Sequence, residues 1–434
     1  MAPYDLLLAG GNVIDVGGGH VGEHDVAIRG GRIAAVAPGL DRRDARQVVD
    51  AAGMLVTPGL VDLHTHIQPA ASYWGIEPDP VAWRSGVTTW VDAGSAGAHN
   101  LEALRLVSRR FEVRVAALLN ISGLGLTGRL GECADIETCD VDLAVEAVAA
   151  NRDLVVGVKV RMDRFTVGAH GLEPLRRALR VAEACQVPVM AHIGYGPPDL
   201  ADLLPLLRPG DIVTHCASGV ASGVLDGGRV DPALVKAYEA GVRFDIGHGA
   251  GGFAFDVLEA QMAAGLTPHT VSTDLHARSV HGPVFDLPTT MTKLLAVGMP
   301  LGDVVAAATT RPAQALGLPD GTGTLAVGAA ADVAVFRLER CRFEVADAHR
   351  QRRIATQRLV NEATYVAGRR LPPRWPEPVR PWISLTDAQR EALARRERAV
   401  RDLLTAPLVE PDGLAEQYPR PRQELEPRQE EAAG

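Results

Sequence analysis

Two histidines one residue apart, His64 and His66, are the residues whose type and spacing point most directly to chemistry. They end the run Leu60-Val61-Asp62-Leu63-His64-Thr65-His66, which follows a Pro58-Gly59 turn. On an extended strand, residues i and i+2 face the same side, so both imidazoles project together. Such a pair is well placed to hold one metal ion. A chance pair of core or surface histidines gives the same pattern, so the rest of the chain must distinguish the two.

Further polar residues lie at the ends of other apolar runs. These residues are Lys159 in the run 155–161, His192 ending 187–192, His215 ending 211–215, and Asp274 ending 270–274. Near-continuous apolar runs are typical of buried parallel strands. A lysine in such a run is costly, because a buried ammonium must be paired or neutralised. A salt-bridged lysine, a Schiff-base lysine and a metal-site lysine all remain open for Lys159, and Asp274 could instead cap a helix.

The elements that must position these residues alternate between strand and helix patterns. Candidate strands lie at 60–66, 87–92, 113–120, 154–161, 187–193, 211–216, 242–247 and 269–274. Helical spacing appears at 141–151, 175–185, 232–240 and 255–264. Eight β-then-α units predict an α/β fold with a (β/α)₈ barrel, whose active site lies at the carboxyl ends of the strands. The polar residues above are therefore expected to converge in space.

Both ends of the chain show β patterns. Short runs at 5–8, 12–16, 25–29 and 32–36 are separated by glycine turns at Gly10-Gly11, Gly17-Gly18-Gly19 and Gly30-Gly31. Similar runs return at 332–338 and 365–370. We predict that residues 1–54 and 319–372 pair into a small β-sandwich domain beside a catalytic barrel at 55–318. Residues 373–434 form a proline-rich extension, with a helix at 386–404 capped by Thr386 or Asp387 and a disordered tail from 406.

Composition excludes several classes of protein. The 434 residues are 47% apolar, which is enough for a large core, and the formal net charge is −9. No long basic stretch precedes the tail, so nucleic acid is not an expected partner. No apolar run is long enough to span a membrane, and the N-terminus lacks a signal-peptide pattern. Five widely spaced cysteines indicate reduced thiols, so a cytoplasmic protein is expected, and a homo-oligomer is a reasonable expectation.

The ordered set of His64, His66, Lys159, His192, His215 and Asp274 resembles the amidohydrolase superfamily, specifically its binuclear metal branch. The resemblance spans residues 1 to about 372. The runs 244–249, 272–276 and 287–293 are similar to the amidohydrolase/deacetylase subgroup, which is related to dihydroorotase.

The resemblance implies a metal centre and a mechanism. His64, His66 and Asp274 would hold one divalent ion, and His192 and His215 the other. A CO₂-derived carbamate on Lys159 and a hydroxide would bridge both ions. Asp274 would be catalytic, taking a proton from the hydroxide and passing it to the leaving group. Nitrogen and oxygen ligands suit Zn²⁺, although Mn²⁺ or Co²⁺ could substitute.

The substrate implied is a small acyl compound bearing a carboxylate, cleaved at an amide or ester. Arg161, His248, His276 and Arg278 are candidate substrate contacts, although Arg161 could equally form a salt bridge. Ring opening of a cyclic amide is the nearest alternative, because the same metal centre serves both reactions. Deamination is less favoured, since the deaminases of this superfamily typically carry a glutamate on the fifth strand and lack the lysine. A non-catalytic scaffold on the same barrel is the alternative of another class.

Overall fold

The computed structural model describes residues 2–69, 71–128, 131–220, 223–319 and 321–405. Its strands are β1 Tyr4–Asp15, β2 His20–Arg29, β3 Arg32–Ala37, β4 Ala45–Asp50, β5 Leu55–Pro58, β6 Leu60–Thr65, β7 Val87–Ala93, β8 Arg114–Asn120, β9 Val155–Met162, β10 Val189–Ile193, β11 Ile212–Thr214, β12 Leu225–Asp226, β13 Arg229–Val230, β14 Arg243–Asp245, β15 Val333–Ala346, β16 Arg352–Val366 and β17 Arg369–Arg370. Its α-helices are α1 Asp79–Ala82, α2 Leu101–Ser108, α3 Val141–Ala150, α4 Arg164–Val167, α5 Glu173–Cys185, α6 Leu200–Leu203, α7 Pro232–Glu239, α8 Phe255–Ala263, α9 Leu287–Ala296, α10 Leu301–Ala307, α11 Thr310–Ala315 and α12 Asp387–Thr405.

The predicted barrel is present, and its strands follow the predicted order. Strands β6, β7, β8, β9, β10, β11 and β14 form one parallel sheet in that spatial order. Helices on the outside bury apolar stripes against it: α5, for example, buries Leu175, Ala178 and Val181. The carboxyl ends of the strands therefore meet at one mouth, as the sequence predicts.

The prediction of a regular eighth strand at 269–274 is wrong in detail. This segment joins the sheet only through isolated parallel bridges, Thr270 to Asp245 at one side and Leu275 to Thr65 at the other. Backbone and side-chain hydrogen bonds together set its place. The amides of Ile246, His248 and Gly249 donate to the carbonyls of Thr270, Ser272 and Thr273 at 3.2, 3.2 and 2.8 Å. The buried carboxylate of Asp245 accepts hydrogen bonds from the hydroxyls of Thr270 (2.8 Å) and Ser272 (2.7 Å). These bonds close the barrel without a full ladder.

The two ends of the chain meet in one sheet, as predicted. Strand β1 pairs with β2, β4 and β5, while β15 pairs with β5 and β16. The predicted turn at Gly10-Gly11 is wrong, because β1 runs through it with a register shift between Leu8 and Gly11. This irregularity has the form of a β-bulge, for which Gly10 supplies the left-handed φ of 71°. The hairpin β15–β16 is much longer than the runs 332–338 and 365–370 predict.

The extension contains the predicted helix. α12 begins after Thr386, whose hydroxyl accepts a hydrogen bond from the Gln389 amide (3.3 Å), while the Gln389 side chain accepts one from the Thr386 amide (3.0 Å). This reciprocal pair is a capping box, so Thr386 rather than Asp387 is the cap. The predicted disordered tail from 406 lies outside the described residues. Among the described helices, none combines the length and apolar content needed to cross a membrane.

Gly86 gives a test of the contact between the barrel and the terminal sheet. An added Cβ there would lie 2.6 Å from Phe336 Cζ and 2.8 Å from Ala334 Cβ, and the φ is 76°. We expect Gly86→Ala to lower the free energy of unfolding by about 2–4 kcal/mol, through overpacking plus left-handed strain. Gly53→Ala is the matched control, because its φ is 74° and nothing lies within 4 Å of the new Cβ. Equal shifts of the urea midpoint in the two variants would contradict the expected clash.

Candidate metal centre

His64 in strand β6 and His66 directly after that strand direct their Nε2 atoms to the same point. His64 Nδ1 lies 2.7 Å from Thr214 Oγ1, whose hydroxyl donates to Asp245 (2.8 Å). His64 Nδ1 must therefore donate, which makes Nε2 the acceptor nitrogen. His66 Nδ1 lies 2.9 Å from Ser95 Oγ. Outer hydrogen bonds of this kind are what orient histidines toward a metal.

Asp274 completes a compact donor set with these histidines. One of its oxygens, Oδ1, lies 3.0 Å from His66 Nε2 and 3.3 Å from His64 Nε2. The three residues can each offer one ligand atom, with all three atoms within 4.8 Å of one another. This is the trio that the sequence predicts for one ion.

His215 carries the clearest sign of a missing partner. Its Nδ1 donates to the Gly247 carbonyl (2.5 Å), while its buried Nε2 has no hydrogen-bond partner among the described residues. A buried lone pair without a partner is costly, and a metal ion would satisfy it. His192 lies beside it, with ring centroids 4.4 Å apart, and His192 Nε2 is 3.7 Å from Asp163 Oδ2. The donors present therefore fit a second ion next to the first trio.

Lys159 lies at the centre of this cluster. Its Nζ is 2.9 Å from His64 Nε2 and 3.3 Å from Met190 Sδ, and the residue is 1% exposed. Burial lowers the pKa of Lys159 to about 7, although Asp274 and Asp245 act in the opposite direction. A substantial fraction of the amine is therefore neutral near pH 7, which is the form that can react with CO₂.

The surrounding imidazoles are neutral for the same reason. Burial is the largest cause that lowers the pKa of His66 to about 3 and of His215 to about 4. Burial likewise moves the pKa values of His64 and His192 well below the usual value. Metal ligation requires unprotonated imidazole, so the cluster is ready to bind metal at neutral pH.

The backbone at the mouth is strained where two of these residues lie. His215 and Asp274 have φ values of 65° and 46°, which are uncommon for residues other than glycine. The glycine-rich loop 247–252 packs directly on both residues. A Cβ at Gly249 would lie 2.3 Å from Asp274 Oδ2, and one at Gly252 would lie 2.2 Å from His215 Nδ1. Glycine is thus needed for the loop to approach the proposed ligands themselves.

A cavity of about 620 Å³ opens above the cluster. Of the four predicted substrate contacts, Arg161, His276 and Arg278 line it. Arg161 is already engaged, because its guanidinium forms a fork with the buried Glu132 carboxylate at 2.8 and 2.7 Å. Burial acts to raise the pKa of Glu132, but the Arg161 pair outweighs it and holds that pKa below its usual value. Of the two alternatives for Arg161, the salt bridge is therefore the one observed.

The prediction that His248 contacts substrate needs correction. His248 is fully buried and is not among the residues that line the cavity. Its Nδ1 donates to the Gly249 carbonyl (2.9 Å), and its Nε2 lies 2.7 Å from Lys293 Nζ. His248 thus supports the glycine loop on the side that faces away from the cavity.

Sequence reasoning did not assign functional roles to the residues that orient the histidines. Asp245 anchors Thr214, and Asp62 accepts hydrogen bonds from the Thr273 amide (3.0 Å) and hydroxyl (2.6 Å). A signal for Asp62 was present, since it lies two residues before His64 on the same strand face. Asp245 ends its own barrel strand, a position at which polar residues reach the mouth.

The sequence and the fold are similar to those of known proteins. Residues 295–372 match the model of the amidohydrolase family. A deacetylase from Agrobacterium fabrum is 39% identical over 330 residues, which cover 75% of this chain and 81% of the relative. A solved structure of an adenine deaminase is 33% identical with a TM-score of 0.80, covering 85% of this chain and 99% of that one. A solved dihydroorotase is 37% identical with a TM-score of 0.78, covering 84% and 98%.

One wall of the cavity is supported by the extension. Trp74 lines the cavity, and its neighbour Tyr73 stacks on Trp382 with ring centroids 4.8 Å apart. Arg380 donates to the Gly75 carbonyl (3.0 Å), and the Glu77 amide donates to Glu377 (2.9 Å). Residues 377–382 therefore hold the loop 71–78 from outside.

We expect Trp382→Ala to accelerate hydrogen exchange of the amides in 71–78 roughly fivefold, since one aromatic pair contributes about 1 kcal/mol. Trp375→Ala is the control, because the Trp375 ring lies under Arg401 of α12 (5.9 Å). Exchange mass spectrometry of the three proteins measures the effect. Unchanged exchange in Trp382→Ala would show that the stacking does not hold the loop.

Proposed function

The chain belongs to the amidohydrolase superfamily and is a hydrolase, and we propose that it removes an acyl group from a small carboxylate-bearing amide or ester. The observation that carries this proposal is the convergence of neutral imidazoles, a buried amine and Asp274 at the mouth of the barrel. The deacetylase name of the Agrobacterium relative supports the choice of deacylation.

We propose that the centre holds two divalent ions. His64, His66 and Asp274 would bind one, His192 and His215 the other, and a carbamate on Lys159 would be shared. Nitrogen and oxygen donors favour Zn²⁺, with Mn²⁺ or Co²⁺ as substitutes. When bound, the ions would polarise an acyl carbonyl and lower the pKa of water toward about 7.

The chain's own residues supply the remaining chemistry. The neutral Lys159 amine adds to CO₂ and releases a proton, which leaves an anionic carbamate with two oxygens. Asp274, against which Gly249 packs closely, is placed to accept a proton from the attacking water and to deliver it to the leaving nitrogen or oxygen.

Recognition of the substrate carboxylate is best assigned to Arg278. Arg161 is neutralised by Glu132, whereas Arg278 forms no ion pair among the described residues and lies over the Trp74 ring at 5.4 Å. A guanidinium at the edge of the cavity can bind a carboxylate with two parallel hydrogen bonds. Trp74 fixes the direction from which the arginine approaches.

Opening of a cyclic amide is the second candidate, favoured by the 37% identity to a dihydroorotase structure. A screen of N-acyl and O-acyl carboxylates against cyclic imides separates the two reactions. Ammonia release from adenine, added to the same screen, tests deamination, which the adenine deaminase name raises. Strand β10, Val189–Ile193, contains no glutamate, which argues against deamination.

We expect Lys159→Ala to reduce bound metal from about two ions per chain to less than one, and to lower kcat more than about 100-fold. The reason is loss of the shared anion between the ions. Short-chain carboxylates should restore part of the activity. Metal analysis and turnover measure the result, with the exposed Lys236→Ala as control. A Lys159→Ala protein with both ions and full turnover would remove the bridging role.

We expect Asp274→Asn to separate metal binding from catalysis. The amide keeps an oxygen donor but cannot take up a proton, so kcat should fall about 10²–10⁴-fold while metal content falls less. Parallel metal analysis and single-turnover assays measure this. A wild-type rate would exclude Asp274 from proton transfer.

A further inference from the structure

A second cavity, of about 700 Å³, lies away from the metal centre. It is enclosed by α9, the β15–β16 hairpin and α12. Its lining contains an excess of cationic side chains, namely Lys293, Arg350, Arg352, Arg358 and Arg396. The acidic residues in the lining are Glu344 and Asp347.

Two of these cations form ion pairs, and the other three are in contact with no carboxylate of the described residues. Arg352 pairs with Glu344 at 2.9 Å, and Arg358 pairs with Glu339. Lys293, Arg350 and Arg396 form no ion pair within the part of the chain that the structure describes.

Asp347 is already used by the backbone. Its carboxylate accepts hydrogen bonds from the amides of Phe255 (2.9 Å), His349 (2.8 Å) and Gln351 (2.9 Å). These bonds leave its negative charge in place, and Asp347 attracts Lys293. The five cationic side chains of the lining still outnumber its two carboxylates, so the cavity keeps a positive excess.

Lys293 is buried with neutral partners. The residue is 1% exposed, and its Nζ contacts His248 Nε2 at 2.7 Å and the Pro283 carbonyl at 2.8 Å. Burial lowers the pKa of Lys293 to about 7. An ammonium has three hydrogens to donate, and no third acceptor is found among the described residues. An anion in the cavity would satisfy this hydrogen and stabilise the buried charge.

Arg396 faces the same cavity from α12. Its guanidinium lies over the Phe285 ring at 4.8 Å and has no hydrogen-bond acceptor among the described residues. Burial and then repulsion by Arg84 lower the pKa of Arg396 to about 10, while Asp286 acts in the opposite direction. The pKa of nearby His281 is lowered to about 4, by burial and then by Arg396 and Arg84. Asp286 is itself paired with Arg84 at 2.9 Å, so Arg396 has no carboxylate of its own among the described residues.

We propose that this second cavity binds a small oxyanion, a carboxylate or a phosphate, with the Lys293 ammonium and the Arg396 guanidinium as its ligands. Arg350, exposed at the hairpin turn, lies at the rim and would draw anions toward the opening. The site is separate from the metal centre and does not depend on the reaction proposed there.

Calorimetric titration of the metal-loaded full chain tests this proposal. Inorganic phosphate and acetate are titrated separately at constant ionic strength. We expect saturable binding of at least one of them, weakened at least tenfold in Arg396→Gln and in Lys293→Met. Arg395→Gln is the matched control, because Arg395 is the exposed neighbour on the same helix and pairs with Glu391 (3.7 Å). The control should bind as the unmodified chain does.

The outcomes separate the sources of the anion and the competing site. Tighter phosphate binding would indicate a phosphorylated ligand, and tighter acetate binding a carboxylate. Phosphate can also bind at a metal centre, but that binding would be unchanged in Arg396→Gln. Equal affinity in Arg396→Gln and the unmodified chain, or no saturable binding of either anion, would overturn the proposal. Arg396 lies on a peripheral helix, so its variant remains informative if Lys293→Met fails to fold.

Discussion

Burial of imidazoles and an amine at the mouth of the barrel is the constraint on which the rest of this molecule depends. Removed from water, these bases lose their protons near neutral pH and present lone pairs. Neutral bases need hydrogen-bond partners on one side and an electron-pair acceptor on the other. Thr214, Ser95 and the Gly247 carbonyl supply the first requirement. A bound metal ion would supply the second. The buried Nε2 of His215, which has no hydrogen-bond partner among the described residues, is the atom that most needs such an acceptor.

The same constraint explains how the barrel closes. The last barrel segment must bring Asp274 to His64 and His66, and its left-handed φ is incompatible with a regular ladder. Buried carboxylates of Asp245 and Asp62 hold this segment through hydroxyls and one amide, in addition to a few backbone hydrogen bonds. Side-chain hydrogen bonds fix the position of this segment without requiring strand geometry. The barrel can therefore close while Asp274 keeps its left-handed φ.

Support for the site continues outward in successive layers. Glycines of the 247–252 loop press against Asp274 and His215, and His248 holds that loop through its bond to Lys293. Lys293 also lines the second cavity, so one buried hydrogen bond links the glycine loop to the proposed oxyanion site. The extension contributes at two places, with Trp382 behind the Trp74 loop and Arg396 over the second cavity. Residues 377–396 thus contribute to the structure around the barrel.

The sequence alone predicted the barrel, the pairing of the two chain ends in one sheet and the set of proposed ligands. Those features follow from local apolar runs and from the rule that the ends of parallel strands converge, so each residue could be placed by its own segment. The pairing of Arg161 with Glu132, the burial of His248 and the bulge at Gly10-Gly11 could not be placed in this way. Each depends on which other segment of the chain packs beside the residue, and a local sequence pattern does not identify that segment. Three-dimensional packing therefore determined which polar groups face the cavity and which form the hydrogen bonds and ion pairs that support its walls.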